Sequence, residues 1–168
     1  MLDKPKKLPD VYANVKVTFD GGSKKDREDI LLLYHTYMLA NDYVDFDLLK
    51  TIWDDDPNNL FFNTNQFTYE GLSDWENIWN YYRPLFKLES PYGPGRLRIV
   101  IRDDMAMVAA DKVLRHKSWV GGPQNFHNPP HYRATKIFVK KGGEWRVVHS
   151  HFSVGADGVR PDKSVKAS

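Results

Sequence analysis

The stretch RATKIFVKKGGEWRVVHSHFS, residues 133–153, alternates apolar and polar side chains on both sides of a glycine pair. Such alternation is typical of β-strands, because successive strand side chains point to opposite faces of a sheet. The Gly142-Gly143 pair is typical of a tight turn. The stretch therefore predicts an antiparallel hairpin with strands at Arg133–Lys140 and Glu144–Val154.

Two histidines stand two residues apart in the second strand, so His149 and His151 should project from one face. Such a pair suits a metal site, proton transfer near neutral pH, or hydrogen bonds that orient neighbouring groups. A metal would need a third ligand, for which His116, His131 or Asp111 would be available. No carboxylate lies nearby in the hairpin, so we predict no metal, and the other two roles stay open.

Lys136 lies in the first strand of the hairpin and shares a face with Tyr132, Ala134 and Phe138. These apolar neighbours favour an inward Lys136, and a solvated strand lysine is the alternative. An inward lysine would lose hydration, which lowers its pKa and suits it to act as a base or to bind a phenolate. Register decides between the two, because a slip of one residue moves every side chain to the other face.

The first half of the chain predicts three amphipathic helices. The first begins at Ser23, where Asp26 completes a capping-box pattern. The second is capped by Asp45, and the third is capped by Ser73 and ends or kinks at Pro84. Helices first and strands later indicate an α+β domain.

Two further strands, Leu97–Ile101 and Met105–Lys117, are predicted before the hairpin. We therefore expect an α+β fold in which three N-terminal helices pack on a strongly curved, mostly antiparallel sheet. The hollow between the two layers would suit a ligand. We divide the chain into an extended N-terminal arm at residues 1–22, a domain at residues 23–155 and an irregular tail at residues 156–168.

Composition narrows the classes of partner. The 24 basic and 22 acidic residues are interspersed, whereas nucleic-acid binding needs clustered basic residues, so we expect no nucleic-acid partner. The absence of cysteine excludes disulfides, thiolate nucleophiles and metal–thiolate sites. No stretch approaches the roughly 20 apolar residues of a membrane span, and the N-terminus lacks the apolar core of a signal peptide. We expect a cytoplasmic protein with no membrane partner.

Three blocks of the sequence resemble the nuclear-transport-factor-2-like (NTF2-like) superfamily, in its SnoaL-like or ketosteroid-isomerase-like branch. They are LANDYVDFDLLKTIWDDD at residues 39–56, RDDMAMVAADKV at residues 102–113 and the hairpin at residues 133–153. The resemblance covers roughly residues 24–154 and implies a cystatin-like cone without a metal. It leaves the activity open, because this scaffold carries isomerases, cyclases, dehydratases, hydrolases, lyases and non-catalytic dimer modules.

A narrower resemblance involves the segment KLPDVYANVKVTFDGGSKKDR, residues 7–27, and the high aromatic content. Both look similar to small bacterial lyases that strip formaldehyde from lignin-derived diaryl dimers. This resemblance implies a cofactor-independent lyase that transfers protons on a small aromatic substrate and leaves a stilbene-type alkene. The alternatives are an isomerase, cyclase or dehydratase, or a non-catalytic ligand-binding or oligomerisation module. In each case we expect a homodimer or a higher homo-oligomer, because a bent sheet with an apolar outer face requires cover.

Four residues are predicted to carry the chemistry. His151, His149 and Lys136 would transfer protons, and Tyr34 would donate a hydrogen bond to a developing oxyanion. Tyr34 and Tyr37 lie on the buried stripe of the first helix, so core packing is the alternative role for both.

The substrate-binding residues are predicted mainly from the aromatic excess, since flat side chains can hold flat rings. Asp111 is a charged exception among apolar strand neighbours and would act as a base or as an ion-pair partner of Lys136 or Arg115. The residues predicted to bind the substrate are Tyr37, Phe62, Trp79, Tyr82, Asp111, Arg115, Trp119 and Phe138.

Overall fold

The computed structural model describes residues 2–120, 131–158 and 160, which form one curved sheet packed against three helices. The helices are α1 (Lys24–Tyr43), α2 (Phe46–Lys50) and α3 (Gly71–Tyr82), with 3-10 turns at Asp10–Asn14 and Arg83–Leu85. The strands are β1 (Val17–Asp20), β2 (Leu60–Phe62), β3 (Thr68–Glu70), β4 (Phe86–Gly93), β5 (Arg96–Arg102), β6 (Met105–Trp119), β7 (Tyr132–Lys141) and β8 (Glu144–Val154).

The sheet has the strand order β1-β5-β6-β7-β8-β2-β3, and β4 pairs with β6 outside this path. Its centre, from β5 to β8, is antiparallel, while β1 joins β5 and β2 joins β8 in parallel. The expected α+β, NTF2-like (cystatin-like) fold with three helices on a curved, mostly antiparallel sheet is confirmed.

Two β-bulges bend the sheet and change which side chains face the helices. In β6 the pairing with β7 shifts between Ala110 and Val113, where Lys112 has a left-handed φ of 56°. In β8 the pairing shifts between Ile137 and Phe138 of β7, which leaves Val148 as the extra residue. A bulge inserts one unpaired residue, so the strand bends. Beyond the bulge, the alternation is shifted by one residue, so that even-numbered instead of odd-numbered side chains, or the reverse, face the core.

The parity change is visible in the burial of β8. Before the bulge Trp145 and Val147 are buried, and after it Ser150 and Phe152 are buried. The core therefore continues along the strand on odd-numbered residues first and on even-numbered residues afterwards.

The start of α1 is attached to the β7–β8 hairpin through one carboxylate. Ser23 and Asp26 form the predicted capping box. Asp26 Oδ1 also accepts a hydrogen bond from Lys140 Nζ at 2.8 Å and one from Trp145 Nε1 at 3.0 Å. These donors hold the pKa of Asp26 well below its usual value, so the group stays ionised and binds the helix to the sheet.

The helices follow the sequence signals at most of their ends. Asp45 caps α2 by accepting a hydrogen bond from the Leu48 amide, and α3 gives way to a 3-10 turn that contains Pro84. The predicted Ser73 cap is wrong, because α3 begins two residues earlier at Gly71, whose φ of 65° favours glycine.

The sequence analysis did not identify β1 and β4. The segment assigned as an extended arm, residues 1–22, supplies a 3-10 turn and the edge strand β1. Of the tail at residues 156–168, most lies outside the described residues. Among the helices of the described ranges, none combines the length and the apolar character needed to cross a membrane.

We predict that Asp26→Asn lowers the free energy of unfolding by about 2 kcal/mol at pH 7. The substitution weakens the charge-assisted hydrogen bond from Lys140 and the capping hydrogen bond with Ser23. A depressed carboxyl pKa stabilises the fold above the unfolded-state pKa of about 3.9, and this contribution disappears as the pH falls. The difference in urea stability between wild type and variant should therefore begin to shrink near about pH 4 and disappear only as the pH approaches the much lower folded-state pKa of Asp26.

The matched control is Asp29→Asn, which removes an exposed i,i+4 ion pair with Lys25 on the same helix. We expect it to change the free energy of unfolding by less than about 0.5 kcal/mol. Equal losses in the two variants would contradict the role assigned to Asp26.

Candidate functional site

Lys136 is the most unusual side chain in the interior. It lies on β7 directly opposite Ser150 of β8, and its side chain is fully buried. Its Nζ lies 3.3 Å from the ring centroid of Tyr37 and 4.2 Å from that of Phe152, and donates a hydrogen bond to Ser150 Oγ at 2.9 Å. Among the described residues, no carboxylate acts on the pKa of this amine or accepts its hydrogen bond.

These surroundings disfavour the charged form of the amine. Burial lowers the pKa of Lys136 well below its ordinary 10.5, and the nearby positive charge of Arg115 lowers it further. A lowered pKa increases the fraction of the amine that is neutral, and the neutral amine carries the free electron pair that accepts a proton. The inward orientation predicted from Tyr132, Ala134 and Phe138 is found, because these side chains are also buried.

Two tyrosines of α1 face the same interior. Tyr34 and Tyr37 stand one turn apart and are completely buried. In the described part of the chain neither hydroxyl has a hydrogen-bond partner, although Ser150 lies close to that of Tyr37. Burial raises the pKa of both phenols, so each stays protonated at neutral pH and can donate a hydrogen bond.

Arg115 lies between Lys136 and the end of α1. Its guanidinium carbon is 5.2 Å from the ring centroid of Tyr132 and 5.9 Å from that of Phe152. One of its Nη atoms donates a short hydrogen bond to Asn41 Oδ1. The residue is half-buried, so it lies nearer to solvent than Lys136 does.

A buried acid and a buried base lie beyond Arg115, and the sequence analysis did not include either of them. Asp42 Oδ2 accepts a hydrogen bond from the Tyr92 amide at 2.8 Å, and Lys117 Nζ donates one to the Asn41 carbonyl. Burial raises the pKa of Asp42 and lowers that of Lys117. The alternation of β6 could have identified Lys117, since it stands two residues after Arg115.

A chain of hydrogen bonds crosses the interior next to Asp42. The hydroxyls of Tyr12 and Tyr92 are 2.6 Å apart, and the Tyr92 hydroxyl is 2.7 Å from His35 Nδ1. These three residues come from the N-terminal 3-10 turn, β4 and α1, so the chain links the N-terminal segment to the site. Neither Tyr12 nor His35 was singled out from the sequence.

The two histidines of β8 lie on the opposite face of the sheet. His149 is half-buried and its Nδ1 lies 2.7 Å from the Leu60 carbonyl oxygen, while His151 is exposed. Both rings contact Phe62 edge-on, at centroid distances of 5.1 and 5.4 Å. The expectation that they share a face with each other is met, but the bulge at Val148 directs that face away from the hollow.

The remaining predicted residues are dispersed. Asp111 forms an ion pair with Arg96 at 2.7 Å, so the expected pairing with Lys136 or Arg115 is wrong. The bulge that begins at this residue turns it outward. Trp79 packs on Phe46 and Trp75 in the core.

The other aromatic residues of the predicted set have mixed positions. Phe138 is fully buried, and the Tyr82 hydroxyl accepts a hydrogen bond from Asn65 at 3.1 Å. Phe62 is 36% exposed and lines an outer groove with His151. The side chain of Trp119 lies outside what the structure describes.

The structure thus brings together Lys136, Tyr37 and Arg115 of the predicted set, while Tyr34 lies one turn before Tyr37 on α1, beside Tyr12 and Tyr92. Ser150 and Phe152 join them, and sequence reasoning missed both because the bulge at Val148 was not foreseen. Across residues 2–120, 131–158 and 160, no three histidine, aspartate or glutamate side chains are grouped in a way that could hold a metal ion.

Comparison with solved structures identifies the same scaffold elsewhere. An NTF2-like protein from Cytophaga hutchinsonii matches with a TM-score of 0.62 and 15% identity, over 79% of this chain and 99% of that one. A candidate ketosteroid isomerase from Shewanella frigidimarina matches with a TM-score of 0.51 and 14% identity, over 72% and 91% of the two chains. A candidate dehydratase of the NTF2-like family from Streptomyces avermitilis matches with a TM-score of 0.56 and 16% identity, over 79% and 98%.

At these identities the structural likeness establishes the fold alone. No curated protein matches the sequence. The sequence profile of the SnoaL-like domain matches residues 30–157, which include most of α1, the strands β2 to β8 and the interior site around Lys136. The chain therefore belongs to the SnoaL-like family.

Proposed function

We propose that the protein is a cofactor-independent, cytoplasmic lyase that transfers protons on a small aromatic substrate, with Lys136 as the general base. One observation carries the proposal: the Lys136 amine is fully buried against two aromatic rings and has a serine hydroxyl as its hydrogen-bond partner. Burial favours the neutral form of such an amine, and a neutral amine can remove a proton from a hydroxyl. A general base typically contributes about 10²–10⁴-fold to the rate.

The reaction proposed for this base is the loss of formaldehyde from a lignin-type 1,2-diaryl-1,3-diol. Lys136 takes the proton of the terminal hydroxyl, and its oxygen forms the carbonyl of formaldehyde as the neighbouring C–C bond breaks. The electron pair of that bond forms the alkene, and the benzylic hydroxyl leaves with a proton as water. The products are a stilbene, formaldehyde and water, so no oxidant or reductant is needed.

The buried phenols of Tyr34 and Tyr37 suit the second half of this reaction. Both stay protonated, and both hydroxyls lack a partner among the residues that the structure describes. A donor that is already in place can stabilise the negative charge that develops on the departing oxygen. We assign this role to Tyr34 and Tyr37.

The rings of Tyr37 and Phe152 cover the amine, which has consequences for substrate entry. Because Lys136 is fully buried, a substrate ring would contact it only after one of these rings turns aside. When a substrate ring takes the place of the ring that has turned aside, water stays excluded from the amine. The pKa of the amine therefore stays low.

The same groups would serve an isomerase, cyclase or dehydratase, since those reactions also need one base and one hydrogen-bond donor. This second candidate is favoured by the similarity of the fold to the candidate ketosteroid isomerase and the candidate dehydratase. A non-catalytic ligand-binding or oligomerisation module would have no use for a neutral buried amine, so we place it last.

We predict that Lys136→Met lowers kcat/KM at least about 100-fold, because the base is lost. Lys136→Arg should be equally inactive, since a guanidinium stays protonated in proteins. In wild type, kcat/KM should rise as the amine loses its proton and level off below the pH of 10.5 at which an ordinary lysine titrates.

Three control variants accompany this measurement. Lys87→Met removes an exposed lysine of β4, and His149→Ala and His151→Ala remove the imidazoles on the outer face. Each should keep kcat/KM within about threefold of wild type. If either histidine variant is as inactive as Lys136→Met, proton transfer would have to be assigned to the histidines on the outer face of the sheet.

We predict that the purified protein converts a 1,2-diaryl-1,3-propanediol to a stilbene, detected by new ultraviolet absorbance, with one formaldehyde released per alkene. The matched substrate lacks the terminal hydroxymethyl group and should give no reaction. An alkene or ketone without formaldehyde would contradict the lyase and favour the dehydratase or isomerase.

A homodimer is also proposed, formed through the outer face of the sheet. Half-exposed apolar side chains share this face, since Met107 and Ile137 pair directly across β6 and β7 and Val139 lies two residues further on. Apolar faces of this kind are covered in stable assemblies.

Sedimentation of the wild-type chain at micromolar concentration should give the dimer mass, and Ile137→Asp should shift it to monomer. The control Glu144→Gln, at an exposed hairpin position, should leave the dimer intact. A wild-type chain that sediments as a monomer would remove the dimer proposal without affecting the assignment of Lys136.

A further inference from the structure

We propose that Arg115 is the anchor for a carboxylate group on the aromatic substrate, so that the substrate class is an aromatic acid. This inference rests on the proposed function, since it concerns the site that contains Lys136.

The guanidinium has an unused donor. One Nη atom donates to Asn41 Oδ1, whereas the buried Nε has no acceptor in the described residues. A buried donor without an acceptor costs about 1–3 kcal/mol, which makes such groups rare in folded proteins. Nε and an adjacent Nη form the planar fork that a carboxylate fits with two parallel hydrogen bonds.

The charge of the guanidinium has limited compensation in this part of the interior. Arg115 and Lys117 both contact Asn41 near the end of α1, and Asp42 is a carboxylate whose charge acts on both of them. One oxygen of Asp42 is occupied by the Tyr92 amide. A ligand anion at Arg115 would pair with the guanidinium charge, because opposite charges attract strongly in a medium of low dielectric constant.

The chemistry of the fork selects a carboxylate over other anions. A carboxylate is planar and ionised throughout the neutral range, whereas a free phenol has a pKa near 10 and stays neutral. A phosphate carries nearly two charges, and Arg115 offers one guanidinium whose Nη is already shared with Asn41. The rings of Tyr132 and Phe152 beside the guanidinium add flat apolar surface for the aryl part of the ligand.

The anchor and the base both contact one ring. Phe152 contacts Arg115 at 5.9 Å and Lys136 at 4.2 Å. Arg115 is half-buried and Lys136 is fully buried, so the anchor stands nearer to solvent and the base lies deeper. A carboxylate held at Arg115 would therefore direct the rest of the molecule inward, towards the amine.

The test uses benzoate and its neutral analogue benzamide as probes, with binding to the full chain measured by calorimetry or ligand-observed NMR. We expect wild type to bind benzoate at least about tenfold more tightly than benzamide. Arg115→Met should weaken benzoate binding at least about tenfold and change benzamide binding less than about threefold. Arg115→Lys, which keeps the charge but loses the fork, should fall between wild type and Arg115→Met.

The matched control is Arg98→Met, which removes an exposed arginine of β5 that pairs with Asp20. It should leave benzoate binding unchanged. Equal affinity of wild type for benzoate and benzamide, or unchanged benzoate binding in Arg115→Met, would overturn the anchor. If Arg115→Met does not fold, the comparison of the two probes on wild type and on Arg115→Lys decides the question.

Failure of this inference is distinguishable from failure of the proposed function. Lys136→Met should lose turnover and keep benzoate binding, since the anchor is untouched. A fully active Lys136→Met variant with benzoate binding that depends on Arg115 would remove the lyase assignment and keep the anchor. If Arg115→Met turns over a carboxylated diol as wild type does while Lys136→Met is inactive, the anchor would be removed and the lyase assignment would be kept.

Discussion

A one-residue bulge in β8 decides which side chains meet inside this protein. Because Val148 has no partner on β7, the strand presents Trp145 and Val147 to the core before the bulge, and Ser150 and Phe152 after it. Ser150 thereby comes directly opposite Lys136 and accepts its hydrogen bond. A regular strand would place the histidines there instead. The site is thus a consequence of where the pairing shifts, since residue types alone would fit either register.

This arrangement lowers the stability of the folded state. A buried lysine without a carboxylate partner loses its hydration, which disfavours its charged form and lowers its pKa. The unpartnered hydroxyls of Tyr34 and Tyr37 and the unpartnered Nε of Arg115 add to that cost within the part of the chain described. Several such groups in one region are unusual in a core that serves stability alone, whereas binding sites commonly keep polar groups unpaired until a ligand arrives.

The sequence predicted much of the fold and a smaller part of the site. The alternation at residues 133–153, the capping box at Ser23 and the Asp45 cap are local signals, and each produces the expected element. Lys136 was correctly directed inward by its apolar neighbours. The bulges at Lys112 and Val148 leave no such signal, because neither position carries a glycine or a proline. They depend on how distant strands pair, and they moved Asp111 and both histidines to the outer face.

Arg115 and Lys136 lie at different depths, and this difference assigns binding to Arg115 and proton transfer to Lys136. Arg115 is half-buried and donates to the amide oxygen of Asn41, so its guanidinium lies where it can hold an anion. Lys136 has no such contact and sits beneath two rings, so it can stay neutral only as long as water is excluded. The positive charge of Arg115 lowers the pKa of Lys136, and an anion bound at Arg115 would partly cancel that influence. Binding would then raise the basicity of the amine at the moment when the substrate is in place, which couples recognition to proton transfer.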